Sequence, residues 1–431
     1  MSNPAQLLPG FQPRRDTDDW TFSGSATREL THCYHDYPAR MIPQIAGKLL
    51  DTFASGAVRL FDPYCGSGTT LVEGLIRGID VVGTDLNPLA RLIAQAKTST
   101  PDVLQVDKQL SKFNKFITQS SGMSTAPLTE IPGISRLDFW FKPTVVEKLF
   151  KLRFFINEIA DTSVRLFFQV AFSETVRESS NTRNDEFKLY RYEAERLEKF
   201  DPDVFGIMLS KLKRNRAGLE NFLSIINKAK HQPTTKIYDF DTVVGIPSGT
   251  IAPSSVDIVV TSPPYGDSHT TVAYGQYSRL SAAWLGLSEP EKIDRKLMGG
   301  QISKRMPSFP SDTLNEALMS IRKSDEKRAL EVATFYSDLF DSISNVAGLL
   351  RTGGYACYVV GNRKVKGVVL PTDQAVRHFF EKFGFDYVNT FQRSIPNKRM
   401  PLRNSPTNAA GTVDSTMTRE YIVVMRREEM R

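Results

Sequence analysis

Apolar residues recur at helical spacing through residues 38–53, where Ile42, Ile45, Leu49, Leu50 and Phe53 share one face. The period then shortens. Residues 58–61 read as a short buried strand, the glycine-bearing stretch 66–70 opens a helix through 71–77, and 80–84 reads as a second strand that ends in Asp85. A further helix is predicted over 88–97. Strand, glycine loop, helix, strand and acid, in that order, begin a doubly wound parallel sheet.

The alternation then stops. Residues 101–235 carry helical patterns, at 145–159 and 164–176 for example, but no convincing strand, and are expected to form a largely helical insertion. Strands resume at 236–238, ending in Asp239, and at 256–260, a Val/Ile run suited to a strand buried on both faces. Residues 287–327 are polar and basic, broken by Gly299, Gly300, Pro307 and Pro310, and suggest an exposed loop region with some helix. A helix is predicted over 330–350 and ended by Gly353 and Gly354, followed by a strand at 355–360 and a helix at 373–383. Strands at 385–391 and 420–425 complete the pattern, joined by a connection, 393–418, rich in Asn, Pro, Lys and Arg. Residues 1–30 are polar with little periodicity and are expected to wrap the surface.

Composition alters this picture only slightly. A chain of 431 residues, 40% hydrophobic and 24% charged, fits one large globular domain with insertions, or two domains. No apolar run approaches the roughly 18 residues of a membrane span, and residues 1–15 lack a signal-peptide core, so the cytoplasm is the expected location. Cys33, Cys65 and Cys357 show neither metal-ligand nor disulfide spacing, and no metal is expected. A net charge of +7 and a pI near 9.1 mildly favour a polyanionic partner.

The chemistry concentrates in two segments. The first, Phe61-Asp62-Pro63-Tyr64-Cys65-Gly66-Ser67-Gly68-Thr69-Thr70, ends the first strand. Its glycines let backbone amides approach a ligand closely. It lacks the third glycine of a dinucleotide fingerprint, and Asp62 would repel a pyrophosphate while welcoming an ammonium or sulfonium. Asp85 is placed to accept from two ribose hydroxyls, and Asp239 from an adenine amino group, with Asp241 as a rival. Alone, a Gly-x-Gly is often a tight turn and Asp85 a helix cap. Acids ending three successive strands of one sheet favour a shared ligand.

The second segment, Thr261-Ser262-Pro263-Pro264-Tyr265, follows the strand that a doubly wound sheet puts beside the first, so Ser262 is expected next to the glycine loop. Two prolines lock φ and remove donors, leaving carbonyls to face the pocket. The Ser262 hydroxyl and the Pro263 carbonyl could grip an exocyclic amine and favour the tetrahedral nitrogen of an in-line displacement. Tyr265 is expected to stack on the base, a contact worth roughly 1–3 kcal/mol.

On these residues the chain resembles the DNA amino-methyltransferases, specifically the cytosine-N4 group. The resemblance implies a seven-stranded, mostly parallel Rossmann-like α/β sheet with S-adenosyl-L-methionine as cofactor. It implies cofactor contacts from Asp62, Tyr64, Cys65, Gly66, Ser67, Gly68, Thr69, Thr70, Asp85, Leu86, Asp239 and Thr261. Ser262, Pro263, Pro264 and Tyr265 become the catalytic motif, Ser at its first position pointing to cytosine where most adenine-N6 enzymes carry Asp. Residues 31–43, containing His32, His35, Tyr37, Pro38, Ala39 and Arg40, are similar to the segment that closes over the methionine end of the cofactor.

The domain reading is therefore 1–57 as that closing segment, 58–100 with 236–431 as the catalytic domain, and 101–235 as the insertion and a DNA-recognition region. Its placement departs from the family, whose recognition insert often lies between the third-strand acid and the catalytic motif. The expected partners are double-stranded DNA and a separately acting restriction endonuclease, with no membrane and a monomeric enzyme. DNA contacts are expected from Arg177, Arg183, Lys188 and Arg191, from Lys304 and Arg305, and from Lys398 and Arg399, although charge runs are commonly just solvated faces. A cytosine-C5 mechanism is excluded because it needs a nucleophilic cysteine, usually after proline, and no Pro-Cys pair occurs. Adenine-N6 transfer, guanine-N2 transfer in RNA and a non-catalytic nucleic-acid-binding module remain as alternatives.

Overall fold

Leu60 and Phe61 carry the strand predicted after the first helix, and both are wholly buried in β1 (Arg59–Asp62). They belong to different apolar clusters, one on each face of the sheet, as the two-residue strand period requires. The computed structural model describes residues 20–119, 130–184, 188–229, 231–266, 272–303, 305–395, 403–404, 414–415 and 417–428. Within them run β2 (Asp80–Thr84), β3 (Thr235–Tyr238), β4 (Val256–Thr261), β5 (Leu350–Val360), β6 (Phe385–Ser394) and β7 (Arg419–Arg427). They form one seven-stranded sheet in the order β3-β2-β1-β4-β5-β7-β6. β7 runs antiparallel to both of its neighbours, whereas β1 pairs parallel with β2 and β4. The strand order reverses between β1 and β4. Their carboxyl ends therefore flank the crevice where an open α/β sheet binds ligands.

Helices cover both faces. α1 (Pro43–Phe53) and α2 (Thr69–Leu75) lie on one side. The other side carries α9 (Asp312–Ser324), α10 (Glu326–Ala347) and α11 (Thr372–Lys382). α3 (Pro88–Thr98) links the sheet to the insertion, whose α4 (Val103–Gln119), α5 (Pro143–Asn157), α6 (Thr162–Ser179) and α7 (Val204–Ile226) pack around Phe113, Phe141, Phe167, Phe168 and Phe172. Asp161 and Asp203 start α6 and α7 by accepting from the amides of Val164 and Gly206. The insertion has no separate core: its cluster runs on into Leu89 and Ile93 of α3 and into Tyr277, Leu280 and Trp284 of α8 (Tyr274–Trp284). Each buried side chain of this size stabilises the fold by roughly 1.5–3 kcal/mol.

Three expectations are corrected. The first helix begins at Pro43 rather than 38, because Pro43 occupies its first turn and holds Ile42 extended at φ −73° and ψ 143°. Gly353 and Gly354 do not end a helix: α10 stops at Ala347, and both glycines lie within β5, where the register against β4 shifts between Val256 and Ile258. Leu349 and Leu350 are buried either way, so apolarity could not distinguish helix from strand there. Finally, the polar stretch 287–327 holds the expected helix as α9, but not exposed: it buries Leu314, Ala317, Leu318 and Ile321 at spacings of three, one and three residues against α10.

Candidate functional site

The chain turns sharply at the end of β1. Gly66 and Gly68 take φ of 47° and 78°, which disfavour any side chain, and a Cβ on Gly68 would stand 2.9 Å from that of Ala94. The turn and the carboxyl ends of β2 and β4 flank an open cleft whose space, counted together with the solvent at its mouth, is about 840 Å³. Asp62, Tyr64, Gly66, Ser67, Asp85 and Leu86 line one part of it, Ser262 and Pro264 another, and residues 37–41 cover it from the N-terminal segment. Cys65, Thr69 and Thr70 also line it, whereas Gly68 serves the packing of α2 on α3.

Asp62 is 3% exposed. It accepts from the Thr261 hydroxyl at 2.6 Å and the Tyr64 amide at 3.1 Å, and no cationic side chain among the described residues reaches it. Burial therefore pushes its carboxyl up to about 6 despite those hydrogen bonds. A buried anion without a counter-charge suits a cationic ligand group. Thr261, expected to touch the cofactor, is instead wholly buried and acts through Asp62. Asp85 accepts the Gly66 amide at 2.9 Å and the Asn87 amide at 2.8 Å on separate oxygens, leaving further lone pairs toward the cleft. Burial raises its carboxyl as well.

The cover is tied down through Asn87, whose side-chain amide donates to the Tyr37 hydroxyl at 2.9 Å and to Ser278 of α8 at 2.7 Å. Tyr37 stacks on Tyr274, another lining residue, with centroids 6.0 Å apart. Arg40 donates to the carbonyls of His32 and His35, which pins the segment's curve. On the far wall, Phe240, Asp241 and Thr242 meet Leu297 and Met298, the latter followed by Gly299, whose amide donates to Asp338 at 2.7 Å. Neither Tyr274 nor the 297–298 wall had any signal in the sequence.

Asp239 requires correction. Its side chain is 79% exposed and lies 4.0 Å from Arg91, outside the cleft, while Asp241 lines it. The strand ends at Tyr238 and two further residues carry the chain around to Asp241, so strand-end position alone misled. Arg177 is also corrected. It is buried with its guanidinium 4.0 Å from the Tyr277 ring centroid, and cannot reach a duplex from there. Lys304, Lys398 and Arg399 lie outside the described residues. Arg183 pairs with Glu193 at 3.3 Å; Lys188 is half-buried, and Arg191 and Arg305 are exposed.

In the second segment Pro263 is buried and Tyr265 half-buried. The Ser262 hydroxyl lies 3.4 Å from the Tyr265 phenol, which donates to Glu420 at 2.9 Å. Glu420 in turn pairs with Arg393 at 2.7 Å. Sequence reasoning missed both of these residues. Arg393, expected at the start of the connection 393–418, lies instead in β6 and is buried.

Among curated proteins, the type II methyltransferase M.MvaI of Kocuria varians is 40% identical over 423 residues, covering 94% of this chain and 93% of its own. The type II methyltransferase M.MjaII of Methanocaldococcus jannaschii is 35% identical over 107 residues, or 23% of this chain and 20% of that one. No family model matches. Among solved structures, the rRNA methyltransferase aviRa from Streptomyces viridochromogenes superposes at a TM-score of 0.31 with 12% identity, covering 91% of this chain and 87% of that one.

Proposed function

The chain belongs to the type II methyltransferases, DNA methyltransferases of restriction–modification type that use S-adenosyl-L-methionine, and on that premise we propose that it methylates the N4 amine of cytosine in double-stranded DNA. The observation that carries this reading is the placement of Asp62 and Ser262 at the ends of adjacent strands, β1 and β4, on one cleft. S-adenosyl-L-methionine supplies an electrophilic methyl on a sulfonium. Asp62 provides the charge for the cationic end of that molecule, Asp85 accepts from its ribose hydroxyls, and Asp241 accepts from its adenine amine. Residues 37–41 close over it and exclude water.

The target amine is a weak nucleophile because its lone pair is delocalised into the ring. Acceptors at Ser262 and the Pro263 carbonyl draw on its hydrogens and favour the tetrahedral nitrogen of an in-line displacement. A base must leave the duplex to reach them, at a cost of a few kcal/mol. The neutral hydroxyl at 262, where aspartate marks most adenine-N6 enzymes, supports cytosine.

The grip on the duplex is assigned to the insertion beside α8. Arg191 and Arg136 lie over the ring of Phe139 at 4.4 and 4.7 Å, and no carboxylate among the described residues pairs with either. Leu189 donates its amide to Gln276, two residues along α8 from the lining residue Tyr274, so this face adjoins the cleft. Guanidiniums held against an aromatic ring and left unneutralised suit phosphates and guanine edges. Arg183, Lys188 and Arg305 extend the basic surface. The enzyme is expected to act as a monomer, with a separate endonuclease. Among the described residues no helix is long and apolar enough to cross a membrane.

The test is incubation with tritiated S-adenosyl-L-methionine and unmethylated genomic DNA, followed by nucleoside mass spectrometry. N4-methylcytosine is the expected product. N6-methyladenine would sink the cytosine assignment and keep the pocket, whereas label in RNA alone would sink the DNA reading.

A further inference from the structure

A chain of hydrogen bonds leaves the cleft at Ser262 and ends on a buried ion pair. The Ser262 hydroxyl donates to the Tyr265 phenol oxygen at 3.4 Å, and the phenol donates to Glu420 Oε1 at 2.9 Å. Glu420 Oε2 accepts from Arg393 Nη1 at 2.7 Å, with side-chain exposures of only 14% and 6%. Glu420 and Arg393 are directly opposed in the antiparallel register of β7 and β6, so two strands hold the pair in place. The pair is a poor stabilising device. Burying two charges costs several kcal/mol per ion, and Arg393 Nε is buried without a hydrogen-bond partner among the described residues.

A chain of hydroxyls can run in either of two polarities. With donors pointing from Ser262 toward Glu420, the serine hydrogen faces away from the cleft and its lone pairs face in. Reversed, Ser262 would present its hydrogen to the cleft, where an incoming amine also presents hydrogens. An ionised carboxylate only accepts and a guanidinium only donates, so the far end of the chain decides which polarity forms. Tyr265 keeps its proton for this purpose, since burial and then the nearby Glu420 charge push its phenol upward.

We propose that Glu420, paired with Arg393, is a positioning residue that orients the Ser262 hydroxyl as an acceptor toward the substrate amine. The inference rests on the reading of Ser262 as the amine-binding group. It assigns a task to a residue that lies 155 positions beyond Tyr265 in the chain. It also separates two duties of Tyr265: the ring faces the base, while the hydroxyl transmits polarity.

Single-turnover and steady-state methylation, on whichever base the wild-type protein modifies, tests it. Glu420→Gln, whose amide can donate as well as accept, should lower kcat about 10- to 100-fold. Cofactor affinity by calorimetry and DNA affinity by anisotropy should stay within about twofold. Because Glu420→Gln leaves a buried guanidinium uncompensated, Tyr265→Phe provides a second cut that spares the ion pair and the ring; it should lose a similar factor. The double variant should lose no more than either single one, as expected when both changes break one chain. Either folded single variant with near-wild-type kcat, or losses that multiply in the double variant, would overturn the proposal. A product other than N4-methylcytosine would instead defeat the cytosine reading, and the ratio of variant to wild type would still decide the role of Glu420.

Discussion

The two halves of the cleft are built in different ways. Most of the half assigned to the cofactor comes from one stretch, 59–87, in which a strand, a turn with two left-handed glycines, a helix and a second strand bring Asp62 and Asp85 together, with residues 37–41 and Asp241 added from outside it. Its carboxylates are held mostly by backbone amides of near neighbours. The half assigned to the base lines the cleft with Ser262 just past β4 and Tyr274 of α8, and backs Ser262 with Tyr265 from the following turn, Glu420 from β7 and Arg393 from β6. A locally coded site needs one turn to form correctly, whereas a composite site needs the whole right side of the sheet in register. Binding and turnover should therefore be separable by substitution.

The widest separation is expected from Ser262→Ala. Loss of a preorganised group at the reacting amine should lower kcat about 10²- to 10³-fold, with cofactor affinity unchanged by calorimetry. Tyr265→Ala, which also removes the ring, should be more severe. Cofactor binding lost along with turnover would mean that the halves fold as one unit, and the comparison would fail.

The reverse separation belongs to Asp62→Asn. Removing its charge should weaken cofactor binding by about 1.5–3 kcal/mol, with little change in kcat at saturating cofactor. The pH dependence has a definite sign. Burial raises the Asp62 carboxyl to about 6, so it is neutral in the free enzyme below that pH and ionised above it. Cofactor affinity should be flat at neutral pH and fall toward about tenfold per unit below pH 6, a slope that Asp62→Asn abolishes. The linkage to stability runs the opposite way. The folded carboxyl lies above its ordinary value of 3.8, so its contribution is fully present below that value and is lost as pH rises through 6. The rise in Tm on adding cofactor should accordingly be larger at pH 7.5 than at pH 5.

This difference also explains what could be read beforehand. Asp62, the glycines and Asp85 were legible because strand, turn and strand are neighbours in the chain, and short-range spacing fixes their geometry. The strand order and the adjacency of Ser262 to the loop followed from doubly wound topology. Glu420 was not legible as a partner of Tyr265: a polar residue at the start of a strand resembles any solvent-facing position, and only the antiparallel register with Arg393 turns it inward. Arg177 misled for the opposite reason. A basic run suggested exposure, yet the last turn of α6 buries this guanidinium on Tyr277. The burial of α9 was missed because its four buried apolar side chains are spaced through an otherwise polar sequence.

The smallest effect tests the third acid. Asp239 directly follows the third strand and so occupies the position that topology favours, but its side chain is 79% exposed beside Arg91. A surface pair of that kind contributes about 0–1 kcal/mol, so Asp239→Ala should leave cofactor affinity within about twofold. Asp241 lines the cleft with one carboxylate oxygen already accepting the Val243 amide at 2.9 Å, which aims the group and leaves the other oxygen available. Asp241→Ala should therefore weaken the cofactor by about 1 kcal/mol, the net value of one ordinary hydrogen bond, and leave kcat unchanged. If Asp239→Ala is the more damaging of the two, the wall of the cofactor half moves on binding, and that half is less rigid than its local construction implies.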